Sequence, residues 1–235
     1  MAAAIVIIIL ILLVLVLAVY MGMLDRLHIP PRPRPGQIRV ACVGDSITYG
    51  FFVRGQLWNS YPSVLQKLLG EDYCVGNFGF SNRTASTDGD YPYTAEKLYK
   101  RSLDFQPDIV LIMLGSNDSK PNNWNAESYA RSLTELARSY MALDSRPRVL
   151  LMTPPSVFHF WKKVLWTIQG DVLENEVVPI CRRVAEELGL ECVDVHGAFL
   201  GKKELFVDGC HPNVPGARLL AEMVYQAIKE PESVS

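Results

Sequence analysis

Cysteine and histidine are scarce in this chain of 235 residues, which contains five cysteines and four histidines. No two cysteines form a C-x-x-C pair, and an odd number cannot all pair within one chain. The sequence therefore lacks the cysteine motifs of metal and redox sites. Thiols that stand in apolar runs, such as Cys42, Cys74 and Cys192, are expected to be small buried side chains.

Net charge is also small, at -2, and no basic run occurs from residue 37 onward. This absence excludes the basic footprint of a nucleic-acid-binding protein. Nucleotide-binding loops are missing as well. The turn "GDSITYG", residues 44–50, matches neither G-x-G-x-x-G nor the P-loop pattern G-x-x-x-x-G-K-[ST].

Charged side chains are absent from residues 2–24. A helix needs about 20 apolar residues to cross the roughly 30 Å hydrocarbon layer, so this run predicts an uncleaved transmembrane anchor. A cleaved signal peptide is the alternative. It is disfavoured because the run exceeds the ~7–15 residues of a signal-peptide core and no Lys or Arg precedes it.

Residues 25–36 follow as a Pro- and Arg-rich spacer. Its prolines predict an extended, semi-rigid chain. Arg26, Arg32 and Arg34 flank the apolar run, and the positive-inside rule therefore favours a cytoplasmic domain on a single-pass membrane anchor. A polysaccharide substrate would require the opposite side, so the orientation stays open at this point.

Apolar runs of strand length alternate with amphipathic stretches of helix length over residues 37–231. This alternation predicts one α/β domain around a parallel sheet. The five predicted strands cover residues 38–44, 73–79, 108–115, 148–154 and 191–197. Gly70 and Gly189 stand where helix C-terminal glycines are expected. In such sheets, ligands bind beyond the carboxyl ends of the strands.

A candidate nucleophile stands at the first of these ends, where Ser46 follows the strand at 38–44. A serine hydroxyl reacts when a base and an oxyanion pocket converge on it. His211 is the favoured base, because Asp208 can reach one imidazole nitrogen across a tight turn and leave the other to face a serine. His196 is the second candidate. A solvated loop or a helix cap is the plainer explanation of the Asp-x-x-His spacing.

Candidate oxyanion donors follow two other strands. Asn117, in "LGSND", offers a side-chain amide, and Gly79, in "NFGFSN", offers a backbone N–H that a partner can approach because there is no Cβ. Each has a plainer explanation as a capping or turn residue. The coincidence of all these residues at strand ends, in order, favours a catalytic site.

Four sequence blocks carry a family resemblance: "GDSIT", the glycine of "NFG", "GSND" and "DGCHPN". Together they resemble the SGNH, or GDSL-type, esterase family, from about residue 37 to the last helix. The amino-acid sequence between the blocks is most similar to that of bacterial carbohydrate O-acetylesterases. The resemblance implies a three-layer α/β/α, flavodoxin-like fold with a five-stranded parallel sheet.

The resemblance also implies residue roles. Ser46 would be the nucleophile, His211 the general base and acid, and Asp208 the residue that orients His211. The oxyanion hole would combine the backbone N–H groups of Ser46 and Gly79 with the side-chain amide of Asn117. No metal or organic cofactor is implied.

Two positions depart from the family pattern. Asn82 stands near the place of an expected second glycine, which puts the shape of that loop in doubt, and Cys210 fills a variable position. Asp45, beside the nucleophile, is expected to hold the turn through hydrogen bonds to backbone N–H groups.

Three functions remain open on the sequence alone. The first is hydrolysis of short, acetyl-type esters of a carbohydrate or related small molecule, with Tyr91, Tyr93 and Trp124 either stacking on sugars or packing in the core. The second is a lysophospholipase or thioesterase, for which the membrane segment and the apolar residues 156–166 are relevant. The third is an inactive binding protein on the same fold, against which the intact catalytic set argues.

Overall fold

The computed structural model describes residues 2–25, 29–158 and 167–230. Five parallel strands form one sheet in the order β2-β1-β3-β4-β5. Their bounds are β1 Ile38–Gly44, β2 Tyr73–Gly79, β3 Ile109–Met113, β4 Arg148–Met152 and β5 Glu191–Val193. The predicted five-stranded parallel sheet is confirmed.

Helices connect the strands and flank the sheet. In chain order they are α1 Ala2–Tyr20, α2 Ser46–Tyr49, α3 Gln56–Asn59, α4 Tyr61–Leu69, α5 Lys97–Asp104, α6 Ala126–Met141, α7 Gly170–Val172, α8 Val178–Leu188, α9 Val195–Phe199 and α10 Val214–Lys229. A π-helical turn over Leu173–Val177 joins α7 to α8. Gly70 and Gly189 end α4 and α8 with φ of 83° and 64°, a region that favours glycine.

Both faces of the sheet are covered by helices. Alternate side chains of β1 point to opposite faces, so Ala41 and Val43 join one core with α5, α6 and α8, whereas Val40 and Cys42 join a second core with α4 and α10. Burial on both faces explains why the central strand β3, with the sequence IVLIM, is apolar throughout rather than alternating. The domain therefore has three layers.

The carboxyl ends of β1, β2 and β3 lie together at one edge of the sheet. Gly44 pairs in register with Gly79 on one side and with Met113 on the other. A Cβ at Gly44 would lie 2.2 Å from Thr48 Oγ1 and 2.6 Å from the Met113 carbonyl oxygen. Glycine thus lets α2 pack directly over the end of β1, which places the first residue of α2 at this edge.

Three strands end earlier than predicted, and of these β4 stops at Met152 rather than at residue 154. β5 stops at Val193 because Asp194 caps α9, its Oδ1 accepting the Gly197 N–H at 3.1 Å. β3 stops at Met113, and the chain turns at Gly115 with φ of 132°. The early ends of β5 and β3 follow from local capping and turn chemistry at the sheet edge.

The apolar N-terminal run forms α1, which ends at Tyr20 rather than continuing to residue 24. Within the described part of the chain, no helix combines the length and apolar character that crossing a membrane requires. The prediction of a transmembrane anchor over residues 2–24 is therefore not supported. The cytoplasmic orientation stays a prediction.

Candidate catalytic site

Three predicted side chains form a hydrogen-bonded series at the sheet edge. Ser46 Oγ lies 2.9 Å from His211 Nε2, and His211 Nδ1 lies 2.7 Å from Asp208 Oδ2. A carboxylate only accepts hydrogen bonds, so the Nδ1 atom carries the proton and Nε2 is left to accept the serine proton. Ser46 and His211 are both buried. These contacts are the ones that the predicted roles of nucleophile, base and orienting residue require.

Ser46 is positioned by the turn that links β1 to α2. Asp45 caps α2, its Oδ1 accepting the Ile47 N–H at 2.9 Å. Gly50 ends the helix in the left-handed region with φ of 92°. Asp45 therefore holds the turn, as expected from the sequence.

Asp208 and His211 are positioned by a tight loop before α10. Asp208 Oδ1 accepts the backbone N–H groups of Cys210 and His211 at 3.0 and 2.7 Å. Burial alone would raise the pKa of Asp208, but the hydrogen bonds from His211 and Cys210 lower the pKa to about 2. The carboxylate therefore stays charged across the neutral range, which favours a proton on His211 Nδ1.

The Asn117 amide joins the site from the end of β3. Its Nδ2 donates to Asp45 Oδ2 and to the Arg83 carbonyl oxygen, each at 3.2 Å. The Asp45 carboxylate accepts hydrogen bonds and repels a carbonyl oxygen. It therefore orients the Asn117 side chain with the Nδ2 group, and not Oδ1, directed at Asp45. Burial raises the pKa of Asp45 to about 6, against the lowering effect of the Ile47 N–H.

Gly79 lies at the same sheet edge but is not among the residues that line the cavity. Its N–H donates to Asn77 Oδ1 at 3.0 Å, and a Cβ at this position would lie 2.2 Å from the Tyr49 nitrogen. The role of Gly79 here is close packing of β2 against α2. Two later residues of the same loop, Ser81 and Asn82, line the site instead.

A small cavity of about 70 Å³ opens beside Ser46. Its described lining residues are Ser46, Phe51, Ser81, Asn82, Ser116, Asn117, Ile168, Cys210 and His211. The Phe51 and Phe52 rings lie 5.2 and 5.7 Å from the His211 ring. Cys210, at the variable family position, is one of these lining residues, which include both polar and apolar side chains.

A second buried carboxylate, Asp118, supports the loop that carries Asn82. It accepts the Ala85 N–H at 3.0 Å and the Ser86 N–H at 2.8 Å. Burial raises the pKa of Asp118 to about 6, although these backbone hydrogen bonds oppose the rise. The sequence signal for this loop-supporting role was the position of Asp118 directly after Asn117 in "GSND".

The remaining predicted residues lie elsewhere. His196 is buried outside the cavity, and neither ring nitrogen has a hydrogen-bond partner among the described residues. Burial lowers the pKa of His196, which keeps the imidazole neutral. Tyr93 is buried and donates to the Phe78 carbonyl oxygen at 2.8 Å, so it packs in the core, whereas Tyr91 is 53% exposed.

Trp124 packs against Tyr129 with ring centroids 5.8 Å apart, and its indole N–H donates to Glu176. His28, His159 and most of the apolar segment at 156–166 lie outside the described residues. Within the described ranges, no group of three or more His, Cys, Asp or Glu side chains is placed to hold a metal ion.

A protein-family model matches the part of the chain that contains these site residues. The model of the GDSL-like Lipase/Acylhydrolase family matches residues 42–219, a range that includes Ser46, Asn117 and His211. The chain belongs to the GDSL-like lipase/acylhydrolase family. The family prediction is confirmed, and with it the prediction that the chain belongs to a family of carboxylic ester hydrolases.

Curated relatives of this GDSL-family chain come from bacteria and plants. An acetylxylan esterase of Xylanibacter ruminicola is 38% identical over 218 residues, which represent 85% of this chain and 45% of that protein. The chain thus spans less than half the length of this relative. GDSL esterase/lipase WDL1 of Oryza sativa subsp. japonica is 22% identical and aligns over 85% of this chain and 81% of its own length.

Solved structures share the fold. The aryl esterase of M. smegmatis superposes with a TM-score of 0.66 at 22% identity, covering 81% of this chain and 98% of its own. Est24, a carbohydrate acetylesterase from Sinorhizobium meliloti, gives a TM-score of 0.68 at 19% identity, covering 82% and 99%. At these identities the likeness shows the fold, which is the three-layer SGNH hydrolase fold expected from the sequence.

Proposed function

We propose that this GDSL-family protein is a serine esterase that hydrolyses short, acetyl-type esters of a carbohydrate or related small molecule. The observation that carries the proposal is the unbroken contact from Ser46 Oγ to His211 Nε2 at 2.9 Å and from His211 Nδ1 to Asp208 Oδ2 at 2.7 Å. This geometry gives a serine hydroxyl the base it needs to react as a nucleophile at neutral pH.

The reaction proceeds in two half-reactions. Ser46 Oγ attacks the ester carbonyl carbon while His211 Nε2 takes the serine proton, and Asp208 stabilises the resulting imidazolium. His211 then gives this proton to the leaving alcohol, which departs as the carbonyl re-forms on an acyl-serine. Water, deprotonated by His211, repeats the attack and releases the carboxylic acid and free Ser46.

The oxyanion of each tetrahedral intermediate needs fixed donors. We assign these to the Ser46 backbone N–H, the Asn117 side-chain amide and the backbone N–H of Asn82. Asn82 replaces Gly79 in this role because Asn82 lines the cavity, whereas the Gly79 N–H donates to Asn77 Oδ1. The Asn117 amide reaches the oxyanion by exchanging its contact with the Arg83 carbonyl oxygen, while Asp45 continues to hold it.

The size of the cavity supports a short acyl group. An apolar cavity of roughly 150 Å³ holds a benzene molecule, and the space beside Ser46 is about 70 Å³. An acetyl group fits this volume, whereas a fatty acyl chain exceeds it. This argues against the lysophospholipase and thioesterase alternatives, which no comparison supports.

Support for a carbohydrate alcohol comes from the names of two similar proteins, an acetylxylan esterase at 38% identity and a carbohydrate acetylesterase with the same fold. Exposed Tyr91 lies within cation–π distance of Arg83, 5.4 Å from guanidinium to ring centroid, next to the loop that lines the cavity. An exposed aromatic ring beside this loop supports the stacking of a sugar there.

Acetate release from an O-acetylated xylo-oligosaccharide tests this proposal. We expect acetate to be released by the full chain at a rate comparable with that of p-nitrophenyl acetate hydrolysis, and none by Ser46→Ala. Cleavage of p-nitrophenyl acetate without release from the sugar would overturn the carbohydrate part and leave the esterase. Failure on both substrates would overturn the esterase itself.

A further inference from the structure

The segment Tyr20–Asp25, here called the N-terminal brace, begins at the last residue of α1 and lies against two loops of the catalytic cavity. The first loop comprises residues 50–55 and contributes Phe51 to the cavity. The second loop comprises residues 80–83 and contributes Ser81 and Asn82. The brace thus contacts both sides of the cavity opening from a part of the chain outside the α/β domain.

Backbone hydrogen bonds join the brace to the first loop. The Tyr20 carbonyl oxygen accepts the Gly55 N–H at 2.8 Å, and the Met21 carbonyl oxygen accepts the Phe52 N–H at 2.9 Å. Gly22 has φ of 64°, and a Cβ there would lie 2.7 Å from both the Gly50 carbonyl oxygen and Gln56 Cγ. The contact is close enough that only glycine fits.

A side chain joins the brace to the second loop. Asp25 Oδ2 accepts the Ser81 N–H at 3.0 Å, across 56 positions of sequence. Ser81 directly precedes Asn82, whose backbone N–H is a proposed oxyanion donor. A shift of this peptide would therefore move a donor relative to the reacting carbonyl.

Both loops hold a non-glycine residue in the left-handed region, namely Phe52 with φ of 62° and Asn82 with φ of 67°. Such conformations are unfavourable, most of all for a bulky side chain, and persist where neighbouring contacts enforce them. The brace contacts Phe52 itself and the residue before Asn82. It therefore supplies restraint at or next to the left-handed residue of each loop.

We propose that the N-terminal brace is a positioning element of the esterase site, holding the Phe51–Phe52 wall and the Ser81–Asn82 donor loop in their reactive arrangement. The inference rests on the proposed function for its effect on turnover. Misplacement of groups by about 1 Å costs up to 10²-fold in rate, so a loosened brace lowers kcat without removing any catalytic group.

Asp25→Ala and Gly22→Ala in the full chain test the brace. We expect each to lower kcat on p-nitrophenyl acetate about tenfold, with KM changed less than about twofold. For Asp25→Ala this is the factor typical of losing one hydrogen bond to a charged group, and for Gly22→Ala the added Cβ displaces the 50–55 loop. Asp25→Asn keeps an oxygen that accepts the Ser81 N–H, so it is expected to restore most of the rate. Exposed Met23 is the matched control, and Met23→Ala should be unaffected.

Amide hydrogen exchange supplies a readout that does not depend on activity. Asp25→Ala should accelerate exchange in residues 80–83, and Gly22→Ala in residues 50–55, while residues 109–113 in β3 keep their protection. Unchanged exchange and kcat in both variants would overturn the proposal. Equal losses of kcat in Asp25→Asn and Asp25→Ala would also overturn it. That result would show that the charge of Asp25 matters, through Arg83 in the same surface cavity, rather than the hydrogen bond to Ser81. Altered exchange in a chain without esterase activity would instead refute the proposed function and keep the brace contact.

Discussion

Ser46→Ala is expected to lower kcat for p-nitrophenyl acetate by about 10⁴- to 10⁶-fold, in the range found when other serine nucleophiles are removed. The alanine leaves His211 and Asp208 in place but removes the oxygen that forms the acyl-enzyme in the proposed mechanism. Ser46 lies at the first position of a short, capped helix, so the fold is expected to be retained. Steady-state kinetics, with thermal unfolding as the check on folding, measures the effect.

A double variant shows whether the residues act as one unit. Ser46→Ala combined with His211→Ala should be no slower than either single variant, because both remove the same step. His196→Gln is the matched control, since His196 is also buried but lies outside the cavity. Multiplicative losses in the double variant, or a loss in His196→Gln as large as in His211→Ala, would contradict the assigned roles.

Asn117→Ala should reduce kcat by about 10²- to 10³-fold with little change in KM, because the amide stabilises charge that exists only in the transition state. The variant also leaves the Asp45 carboxylate and the Arg83 carbonyl oxygen without a donor they have in the native protein. We therefore expect a stability loss of about 1–3 kcal/mol alongside the kinetic loss. Kinetics below the unfolding transition separate the two effects.

Asn82→Gly provides the contrast for this experiment. Both asparagines line the cavity, but Asn82 is assigned a role only through its backbone, and its φ of 67° suits glycine. Loss of the Asn82 side chain should cost at most a few-fold in kcat. A loss as large as that of Asn117→Ala would show that the Asn82 side chain takes part, and near-normal turnover in Asn117→Ala would remove Asn117 from the oxyanion hole.

The sheet was predictable because its pattern is local. Each of the five strands is rich in apolar residues, and β3 is a continuous apolar run, as burial on both faces requires. The strand ends were less predictable, since capping by Asp194 shortens β5 and the turn at Gly115 shortens β3. The N-terminal run was predicted to extend to residue 24, whereas the helix stops at Tyr20 and the following residues pack on the domain.

The site was predictable where chemistry demands a residue type at a strand end. Ser46, Asn117, Asp208 and His211 were identified in this way, and the structure brings them to one cavity or its immediate support. For the proposed backbone oxyanion donor, the sequence did not distinguish Gly79 from Asn82, because the Gly79 N–H is taken up by Asn77 Oδ1, two residues earlier. Asparagine tolerates positive φ better than most residues, which is the signal that could have pointed to Asn82.

Other parts of the site depend on tertiary packing and left no local pattern. Phe51 and Ile168 reach the cavity from loops separated by more than 100 positions, and Asp25 reaches Ser81 from outside the domain. Tyr93 illustrates the converse, because an aromatic residue near a predicted site is buried against Phe78 instead. Such contacts follow from how elements pack, which hydrophobic periodicity does not specify.

The most direct test of the central claim is the hydrolysis of p-nitrophenyl esters from acetate to palmitate by the full chain, with Ser46→Ala measured in parallel. The account predicts turnover that is highest on acetate, declines as the acyl chain outgrows the cavity of about 70 Å³, and disappears with Ser46. A maximum on long acyl chains, or acetate hydrolysis that persists in Ser46→Ala, would contradict it.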